Sequence, residues 1–386
     1  MCAGAVCAGA VCAAGCATDQ GGAARDIGRD VGRGVGRGVG RDIGQGVALG
    51  FVTPGAVLER SLSEVHRLGA NEVSIIVPLY TEGVDGTTVR RGALDDARGG
   101  DGDLAPAPAF ADVDETQRSD AQLANVIARA RMHGLAVLVF PIVRLRVRRT
   151  GEWRGKLAPR DREAWWAAYT QQLSAIATVA AHAGAARLAI GSELVTFEDE
   201  PERWERLAAI VRQIYPGRLC YSANWDRYRD VRFWSAVDDV GISAYFSLAA
   251  RGASPTIAAL VSAWRPIVDE LRTFSIEVAR PVLFTEVGFP SVHGAAYWPW
   301  NDHQLKTACQ AGEGCEGALD LEGQRRLWSA FVQVFGAGDT PFLRATYVWL
   351  WSGTGGLRDR GYTPRGKPAE SVLKSWYGRA RVLPIP

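Results

Sequence analysis

Two apolar runs that each end in a glutamate decide the fold of this chain: RLAIGSEL at Arg187–Leu194 and PVLFTEVGF at Pro281–Phe289. Both runs have the length of a strand, and each places its carboxylate, Glu193 or Glu286, near the point where the apolar residues stop. In a parallel barrel the chemistry collects at the face where the strands end. The two runs therefore predict a pair of glutamates at the mouth of a barrel.

The chain from Val47 onward repeats this alternation of apolar strand and amphipathic helix. Eight strands are predicted, over Val47–Thr53, Glu72–Pro78, Ala136–Val143, Arg187–Ser192, Arg218–Ala223, Val240–Tyr245, Pro281–Thr285 and Ala345–Trp351. Helices are predicted near Gly55–Leu68, Ser119–His133, Arg162–Ala183, Glu202–Tyr215, Val231–Ala236, Pro255–Phe274, Leu321–Phe335 and Pro368–Tyr377. Eight such units indicate an α/β fold, a single (β/α)8 TIM barrel over residues 47–386. A doubly wound open sheet would alternate as well, and the polar and aromatic residues at the strand ends favour the barrel.

Composition and charge exclude several classes of protein. The 386 residues include 44 Lys plus Arg and 42 Asp plus Glu, so the net charge of +2 argues against a nucleic-acid partner. No run reaches the roughly 18 to 20 apolar residues that a membrane-spanning helix needs. The five His residues have no metal-site spacing, so we expect no metal and no cofactor.

The first 46 residues differ from the rest and are predicted to lie outside the barrel. Arg25–Gly46 is a low-complexity Gly/Arg tract that lacks a G-x-G-x-x-G match and is typical of a flexible tether. Ala13–Cys16 resembles a bacterial lipoprotein cleavage box, so we expect an extracytoplasmic protein that a lipidated Cys16 tethers to a membrane. A mis-called start codon or a disordered tail is the alternative. The Arg residues also leave open an anionic-polymer binder, which the near-zero net charge disfavours.

Two loop segments carry further predictions. Residues 83–116 are rich in Gly, Asp, Ala and Pro, and they indicate an insertion after the second strand that either covers the cleft or is disordered. Cys309 and Cys315 flank a short Gly-containing loop and would close a disulfide ring in an oxidising compartment. Cys220 falls in a predicted strand, where a buried thiol is the simplest interpretation.

The fourth and seventh strands of a barrel lie across its mouth from each other, so Glu193 and Glu286 would face one another there. Two facing carboxyl groups are the equipment of glycoside hydrolysis, one protonating the leaving oxygen and the other attacking the sugar or activating water. A single glutamate at a strand end is usually a salt-bridged structural acid. Two of them with Asn and aromatic neighbours favour a catalytic site.

The sequence resembles the clan A glycoside hydrolases, and most closely glycoside hydrolase family 113, known for β-1,4-mannanase activity. The resemblance rests on a set of motifs spread along the barrel: EWRGKLAPRDREAWWAAY near Trp153, IGSEL at Glu193, YSANWD at Asn224, VGISAYF at Tyr245, FTEVGFPSVHGAAYWPW at Phe284–Trp300, YVWLWSG at Trp349 and YTPRGKPAESVL. It implies a retaining mechanism in which Glu193 is the general acid/base, Glu286 is the nucleophile, and Tyr245 hydrogen-bonds the nucleophile. Where clan A enzymes commonly carry Asn before the acid/base, this chain has Ser192, so the resemblance leaves open how the sugar 2-hydroxyl is bound and whether mannose or glucose is preferred.

An acid/base must hold its proton near neutral pH, so we expect Glu193 in a less polar or like-charged environment. Aromatic rings pack on the apolar faces of sugars, while amides and charged groups sort the hydroxyls. Residues at strand ends or in loops are therefore predicted to bind substrate: Tyr80, Trp153, Arg154, Ser192, Asn224, Trp225, Trp300, Trp349 and Trp351. Trp349 and Trp351 are spaced by two and should share a face of their strand.

The principal hypothesis is a monomeric retaining hydrolase of a β-linked polysaccharide, with mannan or a related hexosan as the favoured substrate. The alternative is a catalytically silent carbohydrate-binding barrel of a cell-surface assembly, which Ser192 and the tether leave open.

Overall fold

A closed ring of parallel strands forms the centre of the molecule. The structure, a computed structural model, describes residues 43–49, 55–92, 113–301 and 317–379, all within one unit that spans Gly40–Pro386. The strands of this described part are β1 (Gly44–Leu49), β2 (Glu72–Thr81), β3 (Arg90–Arg91), β4 (Ala136–Leu145), β5 (Arg187–Ser192), β6 (Arg218–Asn224), β7 (Asp239–Ser243), β8 (Val282–Val287) and β9 (Leu343–Trp351). Their order in the sheet is β1-β9-β8-β7-β6-β5-β4-β2-β3, and parallel pairing of β1 with β2 closes the ring. The predicted (β/α)8 barrel is confirmed, with β3 as a short antiparallel addition to β2.

Helices follow the strands and cover the outside of the barrel. In the described ranges they are α1 (Ala56–Leu68), α2 (Val113–Met132), α3 (Arg162–Ala183), α4 (Pro201–Ile214), α5 (Ile257–Glu277), α6 (Leu321–Phe335) and α7 (Pro368–Arg379). Asp161, Thr256 and Asp320 cap α3, α5 and α6 by accepting a backbone N–H of the first turn. The predicted helix at Val231–Ala236 is wrong, since only a 3₁₀ turn over Trp234–Ala236 forms there. The indole N–H of Trp234 donates to the carbonyl of Tyr228 (2.9 Å), which anchors this short connection before β7.

The first strand begins earlier than the sequence pattern predicted. β1 starts at Gly44 rather than Val47, so the end of the presumed tether is a buried barrel strand. A Cβ at Gly46 would collide with the ring of Tyr347, and one at Gly44 would collide with Glu72. These two glycines are therefore needed for close packing and not for flexibility. The remainder of the tract, the candidate lipidation site Cys16 and the Cys309/Cys315 pair lie outside the described residues.

The barrel interior has distinct layers along its axis. An apolar layer in the middle joins side chains of six strands: Ile76, Leu138, Phe140, Ile142, Ala189, Cys220, Leu283, Ala345 and Tyr347. Below it, at the amino ends of the strands, Arg187 donates to Glu72 (2.5 Å), and Arg218 forms two hydrogen bonds to Asp239. Above it, at the carboxyl ends, lie the two predicted catalytic glutamates. The apolar layer separates these two polar ends.

The insertion after β2 is partly built into the fold. Val89 is buried, and β3 pairs Arg90 with Tyr80 and Arg91 with Leu79, so the first part of the predicted insertion packs against β2. α2 begins at Val113, inside the predicted 83–116 segment, and residues 93–112 lie outside the described part. None of the helices described is long and apolar enough to cross a membrane.

Candidate active site

Glu193 lies directly after β5, where the backbone turns sharply out of the barrel. Its φ of 51° is in the left-handed region that non-glycine residues rarely adopt. Its backbone N–H donates to the carbonyl of Ser222 in β6 (2.8 Å), and the residue is only 7% exposed. The sequence therefore buries this carboxyl at the barrel rim and aims it through an unusual backbone conformation.

Arg154 is the direct partner of Glu193. Its Nη2 lies 2.6 Å from Oε2 of Glu193, a charge-assisted hydrogen bond between two largely buried side chains. Arg154 starts a 3₁₀ turn in the β4–α3 loop, and the loop is fixed where Thr196 donates to the carbonyl of Leu157 (2.5 Å). The direct partner of Glu193 is thus a cation, which the expectation of a less polar or like-charged environment did not include.

Glu286 lies inside β8 and is 3% exposed. The hydroxyl of Tyr245, two residues after β7, donates to Oε2 of Glu286 (2.8 Å). Burial raises the pKa of Tyr245 well above 10, and the carboxyls of Glu286 and Glu193 both act in the same direction. Tyr245 therefore keeps its proton and remains a hydrogen-bond donor to Glu286 at every physiological pH.

The strand register places both carboxyls at the same end of the barrel. Ser192 pairs with Ser222, Asn224 pairs with Ser243, and Ser243 pairs in turn with Glu286. Glu193 is the residue after Ser192. Followed across β6 and β7, this register puts Glu193 and Glu286 at heights along the barrel axis that differ by about one residue. The electrostatic influence of both glutamates on Tyr245 agrees with this proximity.

A layer of hydroxyl groups lies directly beneath the carboxyls. Ser222 contacts Thr285 (2.6 Å) and Ser243 (3.2 Å) between neighbouring strands. Ser192 is 1% exposed, and its Oγ has no hydrogen-bond partner among the described residues. Ser192 is therefore shielded from solvent and does not lie on the open surface of the candidate site.

Aromatic residues predicted to bind sugar form a pair at the rim. Trp225 follows β6, and its ring lies 5.1 Å from that of Trp300, which is 41% exposed. Asn224, the last residue of β6, precedes this pair and is half-buried. Trp153 is half-buried beside Arg154, and its ring packs on Gly155, where no Cβ would fit. Trp349 is half-buried and packs on the apolar layer inside the barrel.

Trp351 corrects one prediction. It is 2% exposed, belongs to the core between barrel and helices, and donates its indole N–H to Glu64 of α1 (3.1 Å). Trp349 and Trp351 do not share a face, because the pairing of β1 with β9 shifts between Val348 and Trp351 and interrupts the regular alternation. Trp351 is therefore a core residue and not a sugar platform.

Tyr80 is also less accessible than predicted. It is 6% exposed in β2, and Gly92 lies against its ring so closely that a Cβ there would collide with it. The first part of the insertion thus covers Tyr80.

Two residues behind Glu193 were missed by sequence reasoning. Glu198 is 3% exposed, and burial raises its pKa from 4.5 to about 7. The hydroxyl of Tyr221 in β6 donates to Glu198 Oε1 (2.8 Å). Glu198 lies in the polar run FEDE, which is typical of a solvated helix start. Its burial therefore becomes apparent only from its contact with Tyr221 in the folded structure.

Comparison with known proteins identifies one family. The sequence profile of Glycoside Hydrolase Family 113 matches residues 109–359. A GH113 β-mannanase from Alicyclobacillus acidocaldarius, solved in complex with ManMIm, superposes with a TM-score of 0.68 at 25% identity, covering 86% of this chain and 96% of that one.

A second GH113 β-1,4-mannanase structure has a TM-score of 0.67 at 20% identity and covers 88% of this chain and 99% of the other. A GH5_18 protein from Streptomyces cattleya in complex with GlcNAc is more distant, with a TM-score of 0.52 at 14% identity over 90% and 83% of the two chains. At these identities the two structures support the barrel fold alone. No curated protein sequence matches the chain.

Proposed function

The chain belongs to glycoside hydrolase family 113 and is a glycoside hydrolase, and from that premise we propose that it cleaves β-1,4-mannan or a related β-linked hexosan with retention of anomeric configuration. One observation carries the proposal: Glu193, directly after β5, and Glu286, within β8, lie at the same end of the barrel, and each has its own fixed donor, Arg154 or Tyr245. The alternative of a catalytically silent barrel leaves this arrangement of two separately supported carboxyls without a purpose.

The first chemical step assigns different roles to the two acids. Glu286 is the nucleophile: an oxygen of its carboxylate forms a bond to the anomeric carbon while the bond to the leaving oxygen breaks. Tyr245 donates to Oε2 of this carboxylate and favours its ionised form. Glu193 transfers its proton to the leaving oxygen. Because Arg154 binds Oε2 of Glu193, that proton is carried on Oε1.

In the second step the charges are reversed. The glycosylated Glu286 is a neutral ester, and Glu193 is now a carboxylate that Arg154 stabilises through its charge. Glu193 takes a proton from a water molecule, whose oxygen bonds to the anomeric carbon as the ester bond to Glu286 breaks. The sugar leaves with its original configuration, and both acids return to their starting forms.

The substrate assignment draws on the relatives and on the shape of the rim. The GH113 relatives are β-mannanases by name, and mannan is uncharged, which suits a protein of net charge +2. Trp225 and Trp300 offer adjoining aromatic surfaces for a sugar chain, and Trp349 lies at the interior of the mouth. Because Ser192 stands in place of the usual Asn, another polar group must bind the sugar 2-hydroxyl, and the amide of Asn224 at the end of β6 is our candidate.

The test is incubation with manno-, gluco- and xylo-oligosaccharides while NMR follows the anomers released. We expect manno-oligosaccharides to be cleaved fastest, with β-anomers appearing first. A first product with inverted configuration, or no cleavage of any oligosaccharide, would contradict the proposal. Azide supplies an independent check: it should rescue Glu286→Ala to an α-glycosyl azide and Glu193→Ala to a β-glycosyl azide, because azide replaces the missing nucleophile in one and attacks the ester in the other.

We further propose export and lipidation at Cys16, followed by the Gly/Arg tract as a tether. Labelling of growing bacterial cells with a radioactive fatty acid tests this directly. Label should enter the wild-type protein and be absent from Cys16→Ser.

A further inference from the structure

A buried hydrogen-bonded chain connects the turn at Glu193 to a second carboxyl. The backbone N–H of Leu194 donates to the hydroxyl oxygen of Tyr221 (3.0 Å), and that hydroxyl donates to Oε1 of Glu198 (2.8 Å). Leu194 and Tyr221 are fully buried, and Glu198 nearly so. This chain is separate from Arg154, which contacts the Glu193 side chain itself.

The turn that this chain holds is unfavourable by itself. A left-handed backbone at a non-glycine residue such as Glu193 is sparsely populated and persists only where its surroundings impose it. Two backbone bonds fix the turn in this structure: the N–H of Glu193 on Ser222, and the N–H of the next residue on Tyr221. The second bond is accepted by a side chain, so it depends on the position of the Tyr221 hydroxyl, which its hydrogen bond to Glu198 fixes.

We propose that Tyr221 and Glu198 are positioning residues which, through the Leu194 amide, aim the carboxyl of Glu193 at the leaving oxygen of the substrate. This inference rests on the proposed role of Glu193 as the general acid/base. Neither residue touches the reacting atoms; they act through the backbone of the turn. A displacement of even about 1 Å at a proton donor lowers its rate contribution strongly.

The charge of Glu198 adds a pH dependence to this support. Burial raises the pKa of Glu198 to about 7, while Tyr221 and the cation Arg227 favour its ionised form and the carboxyls of Glu193 and Asp230 oppose it. Below neutral pH Glu198 is therefore a neutral acid behind Glu193. As the pH rises through about 7, it becomes a second negative charge beside the catalytic carboxyl.

The first experiment compares two substrates with one variant, Tyr221→Phe. A manno-oligosaccharide has a sugar leaving group that needs protonation, whereas a 2,4-dinitrophenyl β-mannoside has a leaving group that does not. We expect kcat/KM to fall about 10-fold or more on the oligosaccharide and less than about twofold on the dinitrophenyl substrate. Tyr215→Phe is the matched control, because it removes another buried tyrosine hydroxyl, on the carbonyl of Ala185 (2.8 Å), and should change neither value.

The second experiment separates hydrogen bonding from charge at Glu198. Glu198→Gln keeps an acceptor for Tyr221 and should retain kcat/KM on the oligosaccharide at pH 5 within about twofold, with an altered alkaline limb of the pH profile. Glu198→Leu removes the acceptor and should, like Tyr221→Phe, lose kcat/KM on the oligosaccharide but not on the dinitrophenyl substrate.

Equal losses on both substrates, or no loss, in Tyr221→Phe and Glu198→Leu would overturn the positioning role. Glu193→Gln, measured on the same two substrates, distinguishes an error in the positioning role from an error in the proposed function. If Glu193→Gln loses activity only on the oligosaccharide while the Tyr221 and Glu198 variants do not discriminate, the positioning role alone is wrong. If Glu193→Gln does not discriminate either, the acid/base assignment is wrong.

Discussion

The two ends of this barrel are built from the same groups and do different work. At the amino ends of the strands, Tyr347 and Arg187 each donate to Oε2 of Glu72 at a distance of 2.5 Å. Arg187 also donates to the hydroxyl of Tyr347 (3.2 Å). At the carboxyl ends, Tyr245 donates to Glu286 while Arg154 donates to the other acid, Glu193. A tyrosine, an arginine and buried glutamate therefore occur at both ends.

The difference lies in how the donors are distributed. At the amino end the donors converge on one carboxyl oxygen, and Asp239 next to it accepts two hydrogen bonds from Arg218. Such a cluster locks strands together and neutralises its charges. At the carboxyl end the donors are divided between two acids, so the two carboxyls have different environments. Division of support between the acids is what allows one to attack while the other transfers a proton.

The strongest test of this contrast replaces the catalytic acids. Glu286→Gln and Glu193→Gln should each lower kcat on oligosaccharide by roughly 10⁴-fold, because each removes a group that the transition state requires. The melting temperature of Glu286→Gln should equal or exceed that of the wild type, since catalytic residues are seldom optimised for stability. Steady-state kinetics and calorimetry measure the two quantities, and full activity in either variant would contradict the assignment.

Replacing the buried glutamate at the other end of the barrel should have the opposite outcome. Glu72→Ala leaves the guanidinium of Arg187 and the hydroxyl of Tyr347 without their shared partner, and breaking such a buried pair destabilises a protein by about 3 to 5 kcal/mol. Denaturant unfolding should detect this loss, while kcat of the molecules that remain folded stays near the wild-type value. A large fall in kcat would show that the two ends are coupled.

A pair of tyrosine variants sharpens the comparison further. Tyr245→Phe removes a hydrogen bond to a charged group, worth about 1.5 to 3 kcal/mol of stability, and should in addition lower kcat by about 10- to 100-fold because this bond is made to the nucleophile. Tyr347→Phe removes the equivalent bond to Glu72 and should reduce stability by a similar amount with kcat unchanged. Equal effects of both variants on kcat would remove the distinction between the ends.

The smallest effect concerns pH and stability at Glu198. Its pKa is raised from 4.5 to about 7 by burial, so the folded protein holds this proton more tightly than the unfolded chain does. The stability from the bound proton is full below pH 4.5 and is lost as the pH rises through 7. Glu198→Gln should match the wild type near pH 4 and exceed it by roughly 1 to 3 kcal/mol at pH 8. Unfolding curves at the two pH values measure this, and a constant difference would contradict it.

Much of the fold could be predicted from the sequence because barrel strands are continuous apolar runs and their helices have clear ends. RLAIGSEL and VLFTEVGF place Glu193 and Glu286 at the rim by pattern alone. Gly46 misled the interpretation, because glycine in a repeat is typical of flexible chain and its packing role depends on Tyr347, far away in the sequence.

The finer features of the site depend on contacts between distant segments. The pairing of Arg154 with Glu193 and the burial of Glu198 by Tyr221 are set by loop conformations that no local pattern encodes. Trp351 was wrongly predicted since residues spaced by two share a face only in a regular strand, and the shift in β9 was not visible in YVWLW.

The closure of the barrel by β1 and β9 has a consequence for how the protein is made. Gly44 pairs with Ala345, about 300 residues later, and Tyr377 of α7 donates to the carbonyl of Gly46 (3.0 Å). On the ribosome β1 can meet β2 early but must wait for almost the whole chain before its second neighbour emerges. Since joining distant segments is entropically expensive and slow, the ring closes late, after synthesis of β9. Until then an open edge on β1 is exposed to other chains, so chaperones and translation speed should affect the yield of this enzyme more than its final stability.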